Sequence, residues 1–578
     1  MPDKPILIFD GKCGFCRMWI EYWKQLTGDA VHYAASQEVG QEYPQIAPEQ
    51  FKKSVQLVLP DGEIFNGAEA VFRTLHWEAW YEKVPGVAPV TEWAYRLIAA
   101  HRDVFYWVTV LLFGRKPRPL RYEAVERLFR KVLAVIWLVA FVSFAVQASG
   151  LIGSHGILPA GAYLARVRQY VPNAPWLAAP TVFWWNSSDG AIQGACIAGM
   201  ICALLAFFGV FWRGALFGAF VLYLSLMNVS QEFLSYQWDI LLLETGFLAI
   251  FLGYSRVVVW LFRWLLFRLM FLSGAVKLLS GDSMWRDLTA LTVHYQTQPI
   301  PTPLAWYVHQ APVWFQKLSC GVVFFVELVI PFLVLGPRRF RAVALPFLVG
   351  LQVLIMLTGN YAFFNWLALA LCIFLIDDSR LPYVQSRFVP GRVRRAVAWS
   401  MTILIGVLST SLFVQALTGR LPAATRGLVG LAAPFGLTSS YGLFATMTTR
   451  RPEIVIEGSN DGTTWLEYEF RYKPGRLDRA PPWVAPHQPR LDWQMWFAAL
   501  GSYRENGWFI NTLARFLQGS TEVLALIEKN PFPDKPPKYI RAQLYEYRFT
   551  SGKDRNWWKR TPLGMYVPAI SMEDLEAR

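Results

Sequence analysis

Cys13 and Cys16 stand two residues apart in Asp10-Gly-Lys-Cys13-Gly-Phe-Cys16. A thiolate is the nucleophile of disulfide exchange, and a second thiol one helical turn away can resolve the mixed disulfide that forms. The first cysteine of such a pair belongs at a helix start, where unpaired N–H groups and the positive end of the dipole favour thiolate. The flanking residues provide that place. Ile6-Leu-Ile-Phe9 reads as a short buried strand and Arg17 to Lys24 as a helix, so the pair falls at a strand-to-helix junction, the thioredoxin-type arrangement. Val55–Leu59 and Glu63–Phe65 flank Pro60-Asp-Gly62, a hairpin turn signal, and Gly67–Leu75 reads as helix. Two other readings of the thiols stay open, inert structural thiols and half of a zinc site. Zinc needs four ligands, and only His32, His76 and His101 are available.

Ionisable residues inside apolar runs form the second candidate set: Asp239, Glu244, Lys277 and Glu327. Charge in hydrocarbon is costly and marks function or tight pairing. Glu244 is expected roughly 10 Å below the outer surface, and Lys277 ends a helix rising to that face, so the two can pair; Glu327 lies deeper. A pair that sets helix register, a proton-transfer role and snorkelling to headgroups are the competing readings. The segment from His294 to Pro303 is polar, Pro-rich and aromatic, and is expected as a rigid recognition loop without helix or sheet. His294, Tyr295, Gln296, Gln298 and Pro299 are its candidate client-binding residues. His155, His294 and His309 lack metal-ligand spacing and read as hydrogen-bonding loop residues, so no metal site is expected.

The chain that must position these groups has 578 residues, 54% hydrophobic and 17% charged, which excludes a wholly soluble enzyme. Its 26 Trp and 24 Tyr suit two membrane interfaces. The net charge of +14 comes from arginines set beside apolar runs, an orientation signal that disfavours a nucleic-acid partner. Six cysteines do not make a disulfide framework in so long a chain, and four of them lie in apolar runs. Three compositions follow one another: 1–115 mixed, 116–418 apolar, 419–578 polar and aromatic.

Nine apolar runs, near 132–152, 190–212, 214–231, 238–254, 257–280, 313–336, 341–358, 361–376 and 396–417, give a working count of nine spans. Basic groups fall in alternate loops: Arg115 to Lys131, Arg213, Arg256, Arg338 to Arg341, and Arg387 to Arg395. By the positive-inside rule those loops are cytoplasmic, which puts the N-terminus inside and everything after 418 outside. Met1-Pro-Asp-Lys-Pro5 opens no cleaved signal peptide.

In the last part, Glu453–Glu457, a Ser459-Asn-Asp-Gly462 turn and Trp465–Tyr472 read as a hairpin, with similar alternation at Tyr545, Tyr547 and Phe549. Thr512–Leu517 and Thr521–Ile527 have helical spacing. The expected fold is a small antiparallel α+β domain. Arg490-Leu-Asp-Trp-Gln-Met-Trp496 and Asn530-Pro-Phe-Pro533 read either as binding segments or as a Trp-rich core.

The first 110 residues resemble the thiol–disulfide oxidoreductase-like family named for its D-x-x-C-x-x-C signature, the DCC family, with Asp10, Cys13 and Cys16 in place. Unlike thioredoxin proper, no Pro precedes Val55, where a cis-Pro would face the redox pair. From about residue 125 to 570 the chain resembles lipase maturation factors, on Gln237-Trp-Asp239, Leu243-Glu-Thr245, Tyr295-Gln-Thr-Gln-Pro299, Gly359–Asn365, Glu457–Gly462, Pro489–Phe497 and Asn530–Pro533. That resemblance implies a polytopic membrane protein whose extracytoplasmic C-terminal part helps secreted lipases reach their active form. The membrane half also distantly resembles the vitamin K-dependent carboxylase fold, whose catalytic Lys follows Gly-x-x; Lys277 matches that position. The fused redox domain departs from the animal factors and suggests a bacterial chain.

The expected architecture is therefore a multidomain membrane protein with a thioredoxin-like domain (1–115), a polytopic helical domain (116–418) and an extracytoplasmic β-rich domain (419–578). The expected function is maturation of exported, lipase-like clients in a bacterial cytoplasmic membrane, coupled to a cytoplasmic thiol-redox domain served by a thiol reductant. Membrane lipid is an expected partner. The rival is an integral-membrane oxidoreductase or quinone-linked enzyme centred on Lys277, with quinone or lipid as cofactor. A transporter is disfavoured, because the spans show no inverted repeat.

Overall fold

In the computed structural model, which describes residues 2–381, 390–552 and 554–576, the chain divides into two units. One holds the residues up to Arg121 with Gly336–Val343 and Asp377–Ser379; the other holds Tyr122–Leu335, Ala344–Ile376 and the residues from Arg380.

The first unit is built on a four-stranded sheet of β1 (Ile6–Phe9), β2 (His32–Ala35), β3 (Gln56–Val58) and β4 (Ile64–Asn66), in the order β2-β1-β3-β4. β1 runs parallel to β2, with Ile6 opposite His32, and antiparallel to β3, with Ile6 opposite Val58. Every residue of β1 is buried, as the unbroken apolar run required. Its helices include α1 (Gly14–Thr27), α2 (Gly67–Thr74), α3 (Glu78–Lys83), α4 (Val87–Ala100) and α5 (Arg102–Phe113). Ile20 of α1 and Ala70 of α2 meet Leu7 and Leu57 in its core.

Among the described residues, seven helices are long and apolar enough to cross a membrane. They are α6 (Glu123–Ala145), α7 (Asp189–Phe208), α8 (Trp212–Val229), α10 (Arg256–Leu279), α12 (Val313–Val334), α13 (Arg338–Thr358) and α15 (Arg392–Thr418). Side-chain caps start α7 and α10, where Ser188 and Ser255 accept from Ala191 N and Val257 N at 3.3 and 3.4 Å. Gly209 and Gly419, with φ of 84° and 72°, end α7 and α15 in the left-handed conformation that a Cβ disfavours.

The other two apolar runs form shorter helices, so the expected nine spans are not all membrane-length. α9 (Gln237–Ala249) has 13 residues and α14 (Phe364–Cys372) has nine, continued by the tight turn Ile373–Leu375. At about 1.5 Å per residue α9 extends roughly 20 Å, short of about 30 Å of hydrocarbon. It is apolar because it is enclosed: Leu241 to Gly246 are buried all round the helix. The short helix α11 (Leu291–Thr297) lies between α10 and α12. Arg387 of the basic group before α15 lies outside the described residues.

The C-terminal sheet has the order β6-β5-β7-β8 and is antiparallel throughout. Its strands are β5 (Pro452–Ser459), β6 (Leu466–Glu467), β7 (Tyr539–Phe549) and β8 (Trp558–Ile570). The expected hairpin closes, yet it holds only the two residues of β6. The long partner of β5 is β7, with Pro452 opposite Glu546. Beyond β6 the chain is drawn away by side chains. Tyr468 stacks on Phe516 with ring centroids 4.6 Å apart, and the Tyr472 and Lys473 N–H groups both donate to Asp492 Oδ1 at 2.8 Å. Two helices, α16 (Arg490–Ala499) and α17 (Gly507–Leu517), pack with this sheet, and the second carries the expected 512–517 segment. The Trp-rich stretch in α16 is core: Leu491, Trp493, Met495 and Trp496 are all buried.

Candidate redox site and buried charge clusters

Cys13 is the N-cap of α1, with extended backbone at φ −79° and ψ 115°. Its Sγ accepts from the Cys16 backbone N–H at 3.2 Å, and the Cys16 thiol points at the same sulfur from 2.7 Å. That thiol contact, the backbone N–H and the Arg102 guanidinium pull Cys13 from 9.0 down to about 6, against burial and the charge of Asp10. The same contact, with burial, pushes Cys16 well up. At neutral pH Cys13 is therefore the thiolate and Cys16 the protonated resolving thiol, the division of labour that disulfide exchange uses. Asp10 shapes the loop: its Oδ1 accepts from Lys12 N at 3.0 Å and from Gln37 Nε2 at 2.9 Å.

Beside Cys16 lies an almost wholly apolar cavity of about 320 Å³, walled by Trp19, Trp23, Val71, Tyr95 and Ile98. The Val55 N–H, just before β3, donates to the Tyr95 hydroxyl at 3.0 Å. That backbone donor is occupied by the protein itself.

The four ionisable residues of the apolar runs are all buried and all paired. Glu244 does not meet Lys277. It pairs with Arg268 and accepts from the Tyr441 hydroxyl at 2.5 Å. Arg268 and Lys277 stand nine positions apart on α10 (268 to 277), about 13 Å along the axis. Arg268 is thus the cation at the level of Glu244, and Lys277 is left to Glu327, whose Oε2 lies 2.7 Å from its Nζ. Gly274 permits that approach, since an added Cβ would come within 2.9 Å of Glu327 Cβ and 2.8 Å of Leu328 Cδ2. Glu327 itself sits in a π-helical turn, Phe325–Val329. Asp239 takes a two-pronged bond from Arg490, at 2.6 and 2.8 Å, and a third from the Tyr223 hydroxyl at 2.6 Å.

Lys277 and Glu327 border a cavity of about 110 Å³ that His294, Gln352, Tyr361 and Asn365 also line. Burial, with the neighbouring Lys277 charge, lowers His294 to about 4, so its imidazole is neutral at physiological pH. The Tyr361 hydroxyl lies 3.3 Å from His294 Nε2 and donates to Gln298 Oε1 at 2.7 Å. A cation, a carboxylate, a neutral imidazole and two amides around one small space can hold a polar group or relay a proton. Among the described residues no three His, Cys, Asp or Glu side chains gather as metal ligands would.

The segment read as a rigid recognition loop without helix or sheet is partly helical and largely internal. His294 to Thr297 belong to α11, and Tyr295, Gln298 and Pro299 are buried. The Arg451 guanidinium donates to the carbonyls of Gln296 (2.7 Å), Gln298 and Pro299 (2.7 Å), and Glu453 balances its charge at 2.8 Å. A chain turn rich in proline leaves carbonyls without N–H partners, and one buried arginine supplies the donors. Sequence reasoning missed Arg268, Arg451, Arg490 and Asn360, whose Oδ1 accepts from Val484 N and Ala485 N at 2.8 and 2.9 Å. For Arg268 a signal existed, because it and Arg263 join Lys277 as charges within a largely apolar helix.

A domain with a dithiol at a helix N-terminus, a set of membrane-length helices and an antiparallel sheet joined to those helices by buried ion pairs define a multi-pass membrane protein. Comparison with known proteins narrows this. Residues 7–108 match the DCC1-like thiol-disulfide oxidoreductase model, 124–383 the lipase maturation factor transmembrane domain and 437–568 the lipase maturation factor C-terminal domain. Lipase maturation factor 2 of Xenopus tropicalis is 35% identical over 76% of this chain and 82% of its own. The human Lipase maturation factor 2 is 34% identical (78% and 83%), and Lipase maturation factor 1 of Mus musculus 33% (77% and 87%). The chain belongs to the lipase maturation factor family. No solved structure matches it.

Proposed function

We propose that this membrane maturation factor acts on exported, lipase-like clients and couples that work to thiol–disulfide exchange at Cys13 and Cys16. The redox half rests on one observation: a cysteine at a helix N-cap, with the thiol that would resolve its mixed disulfide 2.7 Å from its sulfur. In each cycle the Cys13 thiolate attacks a partner disulfide and releases one partner thiolate. Cys16 then attacks Cys13 Sγ, freeing the second, so two electrons pass to the partner and the dithiol becomes a disulfide. A cytoplasmic thiol reductant reverses the change. Residues 1–115 are the redox part, 116–418 the membrane part and 419–578 the client-facing part. The basic loops favour an N-terminus in the cytoplasm and a C-terminus outside a bacterial membrane, so the partner disulfide is that of a membrane dithiol–disulfide carrier, which in turn exchanges with the clients outside.

A deletion strain complemented with wild type or with Cys13→Ser/Cys16→Ser tests both halves. Wild type is expected to restore secreted lipase activity and the thiol state of exported proteins, and the double variant to fail at the second. Full restoration by the double variant removes the redox half, and a deletion without effect on secreted lipase removes the client half.

The cavity at Lys277 and Glu327 favours a second reading, an integral-membrane oxidoreductase or quinone-linked enzyme of carboxylase-like fold with Lys277 as its centre. Unchanged function in Lys277→Ala eliminates it.

A further inference from the structure

Helices α4 and α5 are amphipathic in the wrong sense for a water-facing surface. On α4, Val90, Trp93 and Leu97 recur at helical spacing and are 63, 66 and 40% exposed. On α5, Val104, Trp107, Val108 and Leu111 do the same at 60, 63, 39 and 60%. The opposite side of α4 is already committed, since Thr91, Ala94, Tyr95 and Ile98 wall the apolar cavity beside Cys16. Just before them, Trp77 and Trp80 at the start of α3 are also more than half exposed, at 54 and 67%. Isolated apolar side chains on a surface are ordinary; successive helices each with an outward apolar stripe are not.

The composition of the stripes and their surroundings identify what covers them. Indole rings concentrate at the headgroup level of a bilayer, where one edge is wet and the body apolar. Directly after α5 come exposed Arg115, Lys116 and Arg118, cations that anionic lipid attracts. Only residues 114–122 separate α5 from α6, a span-length helix, and so short a segment reaches at most about 30 Å. We propose that α4 and α5 lie in the bilayer interface with the Val90-Trp93-Leu97 and Val104-Trp107-Val108-Leu111 stripes among the lipids, so that the dithiol works at the membrane surface. The pattern is that of a monotopic interfacial helix pair, apolar and Trp-bearing on one side and basic at its flank. This placement is independent of the redox reading.

Two measurements on the full-length chain in nanodiscs of phosphatidylethanolamine and phosphatidylglycerol test it. In the unaltered protein, lipids carrying a photoactivatable diazirine on the acyl chain are expected to label peptides within 87–113 and to leave 36–66 unlabelled. A fluorescent amino acid placed at 93, 107 or 111 is expected to be quenched several-fold more by a lipid-borne nitroxide than the same residue at Glu49. Aqueous iodide should show the reverse order. The proposal is overturned if 87–113 takes no lipid label, or if iodide reaches the three positions as readily as Glu49. Protection from both quenchers, as burial against another protein or a second copy would give, overturns it equally.

Discussion

Replacing Cys16 by Ala removes the contact that contributes most to the low Cys13 pKa, while the backbone N–H of residue 16 and Arg102 remain. In the parent chain, a Cys13 pKa of about 6 makes the residue about 90% thiolate at pH 7; at the ordinary 9.0 the share is about 1%. Reactivity changes less than that ratio implies, because nucleophilicity climbs with pKa at a Brønsted slope of about 0.4–0.5. A full three-unit rise would give roughly 20-fold in intrinsic rate against about 90-fold in thiolate share, a net loss at pH 7 of only about fourfold. The pH midpoint of alkylation is therefore the sensitive readout. Iodoacetamide labelling of the Cys13 peptide, followed by mass spectrometry from pH 4.5 to 10, is expected to give a midpoint near 6 in the reduced parent. In Cys16→Ala it is expected to lie higher, short of 9.0. The depressed value also sets a sign for stability. The reduced form gains stability over its unfolded chain as pH rises from about 6 to 9 and loses it as pH falls through 6, whereas the disulfide form shows no such change. A parent midpoint near 9, or one that Cys16→Ala leaves unmoved, refutes the reasoning.

Arg490→Leu strands the Asp239 carboxylate in a buried site and is expected to cost about 3–5 kcal/mol, seen as a clear drop in thermal midpoint. Asp239→Leu with Arg490→Leu should recover most of it, and two equal losses would contradict the pairing. Gly274→Ala forces a methyl against Glu327 and Leu328 and is expected to destabilise by about 1–3 kcal/mol in the same assay; a neutral result would mean that α10 and α12 are not so close. Because burial holds His294 down to about 4, client maturation should show no inflection from this group between pH 5 and 8. A step near 6.5 that disappears in His294→Asn would refute that neutral state.

What the sequence conveyed was local. The dithiol loop is specified by a strand, a helix and a cap within a dozen residues, and it folds as its spacing implied. Hydropathy also found the seven membrane-length helices among the described residues, yet it measures composition and not surroundings, so enclosed α9 was counted with them as a span. The buried charges show the other boundary. Asp239 and Glu244 were recognisable as costly, but their partners were not, because Arg490 lies 251 positions away and Arg268 is distinguished from Lys277 only by its height along α10. The turn after β5 was plain from Ser459 to Gly462, whereas the pairing of β5 with β7 joins segments separated by all of α16 and α17. The proline-rich segment misled for a related reason: nothing adjacent to it announces Arg451.

The links from Arg490 to Asp239, from Tyr441 to Glu244 and from Arg451 to the carbonyls after α11 change how a shortened chain must be interpreted. Removing everything beyond residue 436 deletes the donors that neutralise or satisfy groups left behind among the helices. Such a fragment would expose stranded carboxylates and orphaned carbonyls inside a low-dielectric scaffold, and its disappearance from the membrane would reflect quality control. Dissection of this molecule therefore belongs to point substitutions that keep those arginines in place.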